Sequence, residues 1–361
     1  MREGVHAEAD SARIATCTEA GWWVAEVPMV VRRLERSLKH AFRLSPRLKS
    51  LSYRMLGFCH EVRLKGTGLR SGFAGGVRAG GVNPKNMIWI FCTIRSGSTW
   101  LRSMMEELMV SEVWEEPGIG QLFGEFYDSS RAQESNLRRP DFVMGNPTRK
   151  TWVRSIRNFV LDTARAAHPA ITPEHYLIVK EPNGAIGAPP LMEALPESRM
   201  VLLVRDPRDV AASELDARKK GSWGYYKWHK QGAKGRSVRA DKKPNDFVKK
   251  RAHNYLRNIA NAKKAYEAHR GRKVLIRYED LRADTLGTMR RLCSVLGISA
   301  DEEKLARVVE KHSWENVSEQ EKGSGKFYRK ATPGGWREDL TPSQTRTIER
   351  ITAPLLEEFY P

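Results

Sequence analysis

The apolar run Met87-Ile88-Trp89-Ile90-Phe91-Cys92 leads into Thr93-Ile94-Arg95-Ser96-Gly97-Ser98-Thr99-Trp100, and Leu101 to Leu108 then reads as a helix. Such a run fits a buried strand, and Gly97 suits a tight turn placed directly before the helix. Backbone N–H groups in the first helical turn have no intrahelical partner, and the helix dipole adds positive potential there. Arg95 contributes a fixed charge, while Ser96, Ser98 and Thr99 contribute hydroxyls. Strand, turn and helix together predict an anion-binding loop.

The loop departs from the ATPase pattern Gly-x-x-x-x-Gly-Lys-Ser/Thr, because the first glycine is missing and the cation, Arg95, precedes Gly97. A second strand-like run, Met200 to Val204, ends in Arg205-Asp206-Pro207-Arg208-Asp209-Val210-Ala211-Ala212-Ser213. Arg205 offers a planar fork for phosphate oxygens. Pro207 can start the next helix, which places Ser213 on its early turns. A third run, Val274 to Arg277, is followed by Tyr278-Glu279-Asp280-Leu281, and then by a helix with Met289, Leu292, Val295 and Leu296 at core-packing spacing before Gly297. The fourth segment is Arg329-Lys330-Ala331-Thr332-Pro333-Gly334-Gly335-Trp336.

In this order the four segments resemble the signature of bacterial-type sulfotransferases that use 3′-phosphoadenosine 5′-phosphosulfate (PAPS), over residues 86–361. The resemblance implies a P-loop NTPase-like sulfotransferase fold: α/β, a mainly parallel sheet flanked by helices. It makes Arg95, Ser96, Gly97, Ser98, Thr99 and Trp100 the 5′-phosphosulfate loop. Arg205 and Ser213 would hold the 3′-phosphate, Tyr278 would lie near the nucleotide, and Arg329 and Lys330 would close over the 3′-phosphate. Ala331 stands where the family has glycine, an awkward exchange if that position has positive φ. The implied reaction is in-line transfer of a sulfuryl group to a hydroxyl or amine, without metal. Positioning and charge neutralisation would do most of the catalysis, with Arg95 acting electrostatically because arginine stays protonated.

Many cytosolic relatives carry Lys-Thr/Ser-His-Leu-Pro after the next strand, with His as base. Here Tyr176 to Val179 leads into Lys180-Glu181-Pro182, so lysine is retained and proline replaces the His. Lys180 is the expected contact to the sulfuryl oxygens. Carbohydrate-modifying relatives use a glutamate in a Glu-Pro context, and Trp114-Glu115-Glu116-Pro117 has that form. A carboxylate beside a tryptophan would be raised in pKa by desolvation. Glu116 is therefore the expected base, with Glu115, Glu181 and His253 as alternatives.

The 361 residues carry a formal charge of +19. Eleven Lys or Arg lie between Arg32 and Arg70, against Glu35 and Glu61, interleaved with apolar residues. Residues 1–30 are expected to be a flexible N-terminus, and 31–85 a basic helical appendage with a Gly-rich linker. The appendage would pack on the core or touch an acidic membrane surface. A second basic stretch, Arg218 to Arg251, holds thirteen Lys or Arg and the aromatics Trp223, Tyr225, Tyr226 and Trp228. Such a segment would suit an anionic or saccharide acceptor. Four scattered cysteines, Cys17, Cys59, Cys92 and Cys293, have neither zinc nor disulfide spacing, which fits a cytoplasmic protein. No signal-peptide pattern opens the chain, and no run reaches the roughly 18 apolar residues of a spanning helix.

Two other function classes compete. A nucleotide or sugar kinase needs a lysine after the loop glycine and an acidic metal site, for which only Asp206 is available. A nucleic-acid- or membrane-binding protein would use the basic, aromatic stretches, yet no helix-turn-helix, zinc or RNA-recognition pattern accompanies them, and no nucleic-acid partner is expected.

Overall fold

A computed structural model describes residues 81–131, 134–225 and 243–360. The described residues belong to one compact unit, residues 79–361. Residues 1–80, and with them Cys17, Cys59 and nearly all of the predicted N-terminus and basic appendage, lie outside the described residues, as do Tyr226 and Trp228.

Five strands form one parallel sheet in the order β2-β3-β1-β4-β5: β1 (Met87–Phe91), β2 (Ser111–Glu115), β3 (Tyr176–Glu181), β4 (Arg199–Val204) and β5 (Lys273–Arg277). Every residue of β1 is buried, because helices cover both faces of a central parallel strand. At the edge, β5 alternates between buried and half-buried residues instead.

The connecting helices are α1 (Ser98–Leu108), α2 (Ile119–Arg131), α3 (Arg149–Ala167), α4 (Ala188–Ala194), α5 (Pro207–Ala217), α6 (Pro244–Ala268), α7 (Tyr278–Ala283), α8 (Thr285–Leu296), α9 (Glu302–Lys311) and α10 (Pro342–Phe359). Met87, Trp89 and Phe91 pack with apolar residues of α2, α3, α4, α6 and α10, while Ile88 and Ile90 pack with α1, α8 and α9. Period-2 alternation of β1 thus builds a three-layer α/β/α sandwich.

Local chemistry sets the boundaries. Pro207 opens α5 and Asp206 caps it by accepting from the Arg208 N–H. Thr341 and Gln344 form a capping box at α10 behind Pro342. Gly297, at φ 62°, ends α8. Of the expected core positions on α8, Met289, Leu292 and Leu296 are buried, whereas Val295 is 39% exposed. Positions 289, 292 and 296 already complete the inward stripe, and 295 falls off it. Among the described residues no helix is long and apolar enough to cross a membrane.

Candidate active site

Strand β1 lies between β3 and β4, so the chain leaves it towards one half of the sheet and later returns on the other. Crevices at such a switch point, beyond the strand C-termini, are where open α/β sheets hold ligands. The loop after β1 is fixed by a 2.9 Å contact between the Thr93 and Ser96 hydroxyls. Gly97 has φ 87°, and a Cβ there would stand 2.6 Å from the Tyr278 ring. Glycine therefore serves both the left-handed turn and the seating of Tyr278 on the loop. The first intrahelical bond of α1 runs from the Leu101 N–H to the Gly97 carbonyl at 3.1 Å, and no side chain caps the helix. Ser98, Thr99 and Trp100 therefore present N–H groups ahead of that bond. Trp100 meets Tyr278 edge-on and donates from its indole to the His312 carbonyl at 2.7 Å.

One half of the site is cationic. Arg205 is buried, lies 4.1 Å over the Tyr278 ring and donates through Nη1 to the Arg95 carbonyl at 3.0 Å. Its Nε is buried without a hydrogen-bond partner. The Arg95 guanidinium donates to the buried Ser213 hydroxyl at 2.9 Å and to the Phe327 carbonyl at 2.7 Å, and lies 5.3 and 5.0 Å from the Trp223 and Phe327 rings. Burial, with Arg205 nearby, lowers Arg95 to about 10, which still leaves it protonated at neutral pH. The segment carrying Arg329 and Lys330 crosses the same region, held by the Tyr278 hydroxyl donating to the Ala331 carbonyl at 3.2 Å. Ala331 has φ 53°, the conformation the family glycine would take without strain.

The other half gathers around Lys180. Its ammonium lies 3.1 Å from the Thr99 hydroxyl, 2.5 Å from Glu115 and 3.2 Å from Glu116. Arg102 also approaches Glu115, at 3.6 Å, so that carboxylate is shared between two cations. Glu116 has φ 50° although Pro117 follows it, and its N–H donates to the Lys180 carbonyl at 2.9 Å. Strain of this kind persists only where neighbours fix it. The expected shielding of these carboxylates by Trp114 does not occur. Trp114 belongs to the opposite sheet face, against His168, and the side chains of Glu115 and Glu116 remain 45% and 42% exposed.

Strand β3 continues through Lys180 and Glu181, whose side chains leave by opposite faces. Glu181 is buried, accepts from the Gly120 N–H at 3.3 Å through Oε1, and leaves Oε2 without a partner. Helix α2 sits so close that a Cβ on Gly120 would fall 2.1 Å from the Gly184 carbonyl, which closes this carboxyl off from solvent. Burial raises Glu181 from 4.5 to about 7. With its pKa higher in the folded state than in the unfolded one, the folded state holds the extra proton between those values. Stability is therefore expected to fall as pH rises from about 4.5 to 7, by on the order of 3 kcal/mol. Thermal melts of Glu181→Gln should lack that decline; a parallel pH profile would show that the carboxyl is not the cause. His253, the remaining alternative base, is exposed on α6.

Several residues that the motifs do not assign build the site. Asp209, fully buried, accepts from the Gly334 and Trp336 N–H groups at 2.7 and 2.9 Å and so ties the Arg329–Trp336 loop to α5. Asp216 accepts from the Ser324 hydroxyl and the Gly325 N–H, both at 2.8 Å, and brings Phe327 towards Arg95. Part of the second basic stretch is internally neutralised, since Arg218 and Arg251 both pair with buried Glu214. Asp206, the carboxylate a kinase would need for a metal, is committed to capping α5 and to Arg208. Among the described residues no group of three or more His, Cys, Asp or Glu could hold a metal ion.

Sulfotransferase 2A1 of Rattus norvegicus is 25% identical over 185 residues, covering 46% of this chain and 59% of the rat protein. Sulfotransferase 2A1 of Macaca fascicularis is 23% identical over 174 residues, covering 43% and 55%. The chain thus spans less than two thirds of the length of these relatives. Among solved structures, mouse sulfotransferase SULT7A1 complexed with PAP has a TM-score of 0.46 at 12% identity, covering 75% of this chain and 85% of that one. Sulfotransferase STF9 from Mycobacterium avium also gives 0.46 at 12%, covering 76% and 77%. The sulfotransferase domain family matches residues 85–360, from the turn before β1 to the end of α10, and the chain belongs to that family.

Proposed function

We propose that this protein transfers a sulfuryl group from PAPS to a hydroxyl or amine of an acceptor. The observation that carries the reading is Arg205: a buried guanidinium at the switch point, fixed by the Arg95 carbonyl and the Tyr278 ring, with its Nε unsatisfied. A buried charged donor left without a partner is costly unless a ligand completes it. Its neighbours Arg95, Ser213, Arg329 and Lys330 fit a phosphate, while the α1 N-terminus with Ser98 and Thr99 fits a second anionic group.

The donor supplies an activated sulfuryl group joined to phosphate. Lys180, positioned by Thr99, neutralises negative charge at the transferring group. Glu116 accepts the proton of the acceptor O–H or N–H on its carboxylate, with Lys180 holding its orientation. Glu115 is bound by two cations and Glu181 is enclosed, so among the three carboxylates Glu116 is the accessible one. The Glu116–Pro117 turn supports a saccharide or glycolipid as the acceptor class.

Calorimetric titration tests the donor. Binding of 3′,5′-adenosine bisphosphate, weaker binding of 5′-AMP, and no gain from magnesium–ATP are expected. Equal binding of all three, or preference for magnesium–ATP, would overturn the proposal.

A further inference from the structure

The two cations on the C-terminal loop are already engaged by acids from their own chain. Arg329, whose side chain is 7% exposed, lies 2.5 Å from Asp339. Lys330 lies 2.7 Å from Glu338 and 3.3 Å from both carboxylate oxygens of Asp339. Asp339 therefore binds both cations at once. The backbone imposes this arrangement. Positive φ at Ala331 and Gly334 turns the chain back, and Asp209 holds the N–H groups of Gly334 and Trp336. The single helical turn Trp336–Asp339 then brings its two acids onto Arg329 and Lys330.

We propose that Asp339 is a specificity-determining residue that weakens the reading of the nucleotide 3′-phosphate, a role that rests on the donor assignment above. Arginine has five N–H donors and lysine three, so both side chains can keep Asp339 and still donate to a phosphate. One of their two positive charges is nevertheless offset by Asp339. The Asp339 carboxylate remains beside any group of the same sign that binds there, and like charges a few ångströms apart repel strongly away from bulk water. Arg205 and Arg95 carry the main recognition. The pairing with Asp339 lowers affinity for the bisphosphate product, gives Arg329 and Lys330 a partner when the nucleotide leaves, and so favours turnover over retention. Glu338, 78% exposed in its side chain, contributes less because solvent screens it.

The test is calorimetric titration of the full chain, as wild type, Asp339→Asn and Glu338→Gln, with 3′,5′-adenosine bisphosphate and with 5′-AMP. Asp339→Asn is expected to tighten bisphosphate binding about tenfold, with less than about twofold change for 5′-AMP, because only the former carries the 3′-phosphate. Glu338→Gln should tighten it about twofold, and it supplies the same test if Asp339→Asn fails to fold. Unchanged or weaker bisphosphate binding in both variants would overturn the inference and make Asp339 a simple prop for Arg329, with the donor assignment intact. A wild type that binds neither nucleotide would remove the donor assignment itself, and the inference with it.

Discussion

Arg205→Ala is expected to weaken binding of 3′,5′-adenosine bisphosphate on the order of a hundredfold or more, while 5′-AMP binding changes by only a few-fold. A guanidinium facing phosphate makes paired, charge-assisted hydrogen bonds, each contributing roughly 1.5–3 kcal/mol. The same residue also braces the protein, through its bond to the Arg95 carbonyl and its place over the Tyr278 ring. General damage to the loop would lower binding of both nucleotides together, so the ratio of the two affinities is the decisive quantity. Arg205→Lys should give an intermediate loss, since it keeps the charge and discards the fork. If Arg205→Ala weakens both nucleotides equally, Arg205 supports the loop and does not read the 3′-phosphate. A protein binding polyanions through its basic surface would lose little, because one buried arginine is a small part of a net charge of +19.

The features most legible in the sequence were those whose physics is local. A central parallel strand is buried on both faces, so β1 and β4 are apolar runs and announce themselves. Gly97 and Pro207 mark a turn and a helix start through short-range chemistry. The apolar run of β3 stops at Val179, yet the ladder continues through Lys180 and Glu181 and buries both. That extension separates the two side chains onto opposite faces, sending Lys180 to Thr99 and Glu181 beneath α2.

Contacts between distant residues left no comparable trace. The Arg95 side chain reaches Ser213 whereas Lys180 reaches Thr99, so under the proposed function Arg95 would join the cations proposed to hold the donor and Lys180 would serve the transferring group. Nothing in the spacing of Glu338 and Asp339 reveals that a reversal at Ala331 and Gly334 lays them on Arg329 and Lys330. Backbone strain was foreshadowed only at Ala331, which stands where the resembled segment has glycine. The non-glycine residues with positive φ among the described residues are Arg95, Glu116 and Ala331, all at this one edge of the sheet. Strained conformations cost on the order of 1–3 kcal/mol each and persist where a site over-determines them. Their coincidence with the motif residues is information that only the fold supplies.

Glu116 is where strain and chemistry meet, and Glu116→Gln is expected to lower kcat on the order of 10²–10⁴-fold while bisphosphate affinity stays within about twofold. Glutamine keeps the size of the side chain and an oxygen for Lys180, but it cannot take up the acceptor proton. The loss should therefore fall on the chemical step, read as sulfuryl transfer to any acceptor that the wild type sulfates. Glu181→Gln serves as the comparison. Its carboxyl is enclosed under α2 against Gly120, out of reach of an acceptor, so kcat should change by less than about tenfold. Glu115→Gln should also be mild in kcat, because two cations already hold that carboxylate. A reversed order, with Glu181→Gln inactive and Glu116→Gln near wild type, would move the proton transfer to the buried carboxyl. The positive φ at Glu116 would then serve only to place Glu115 beside Lys180 and the α2 N-terminus over Glu181.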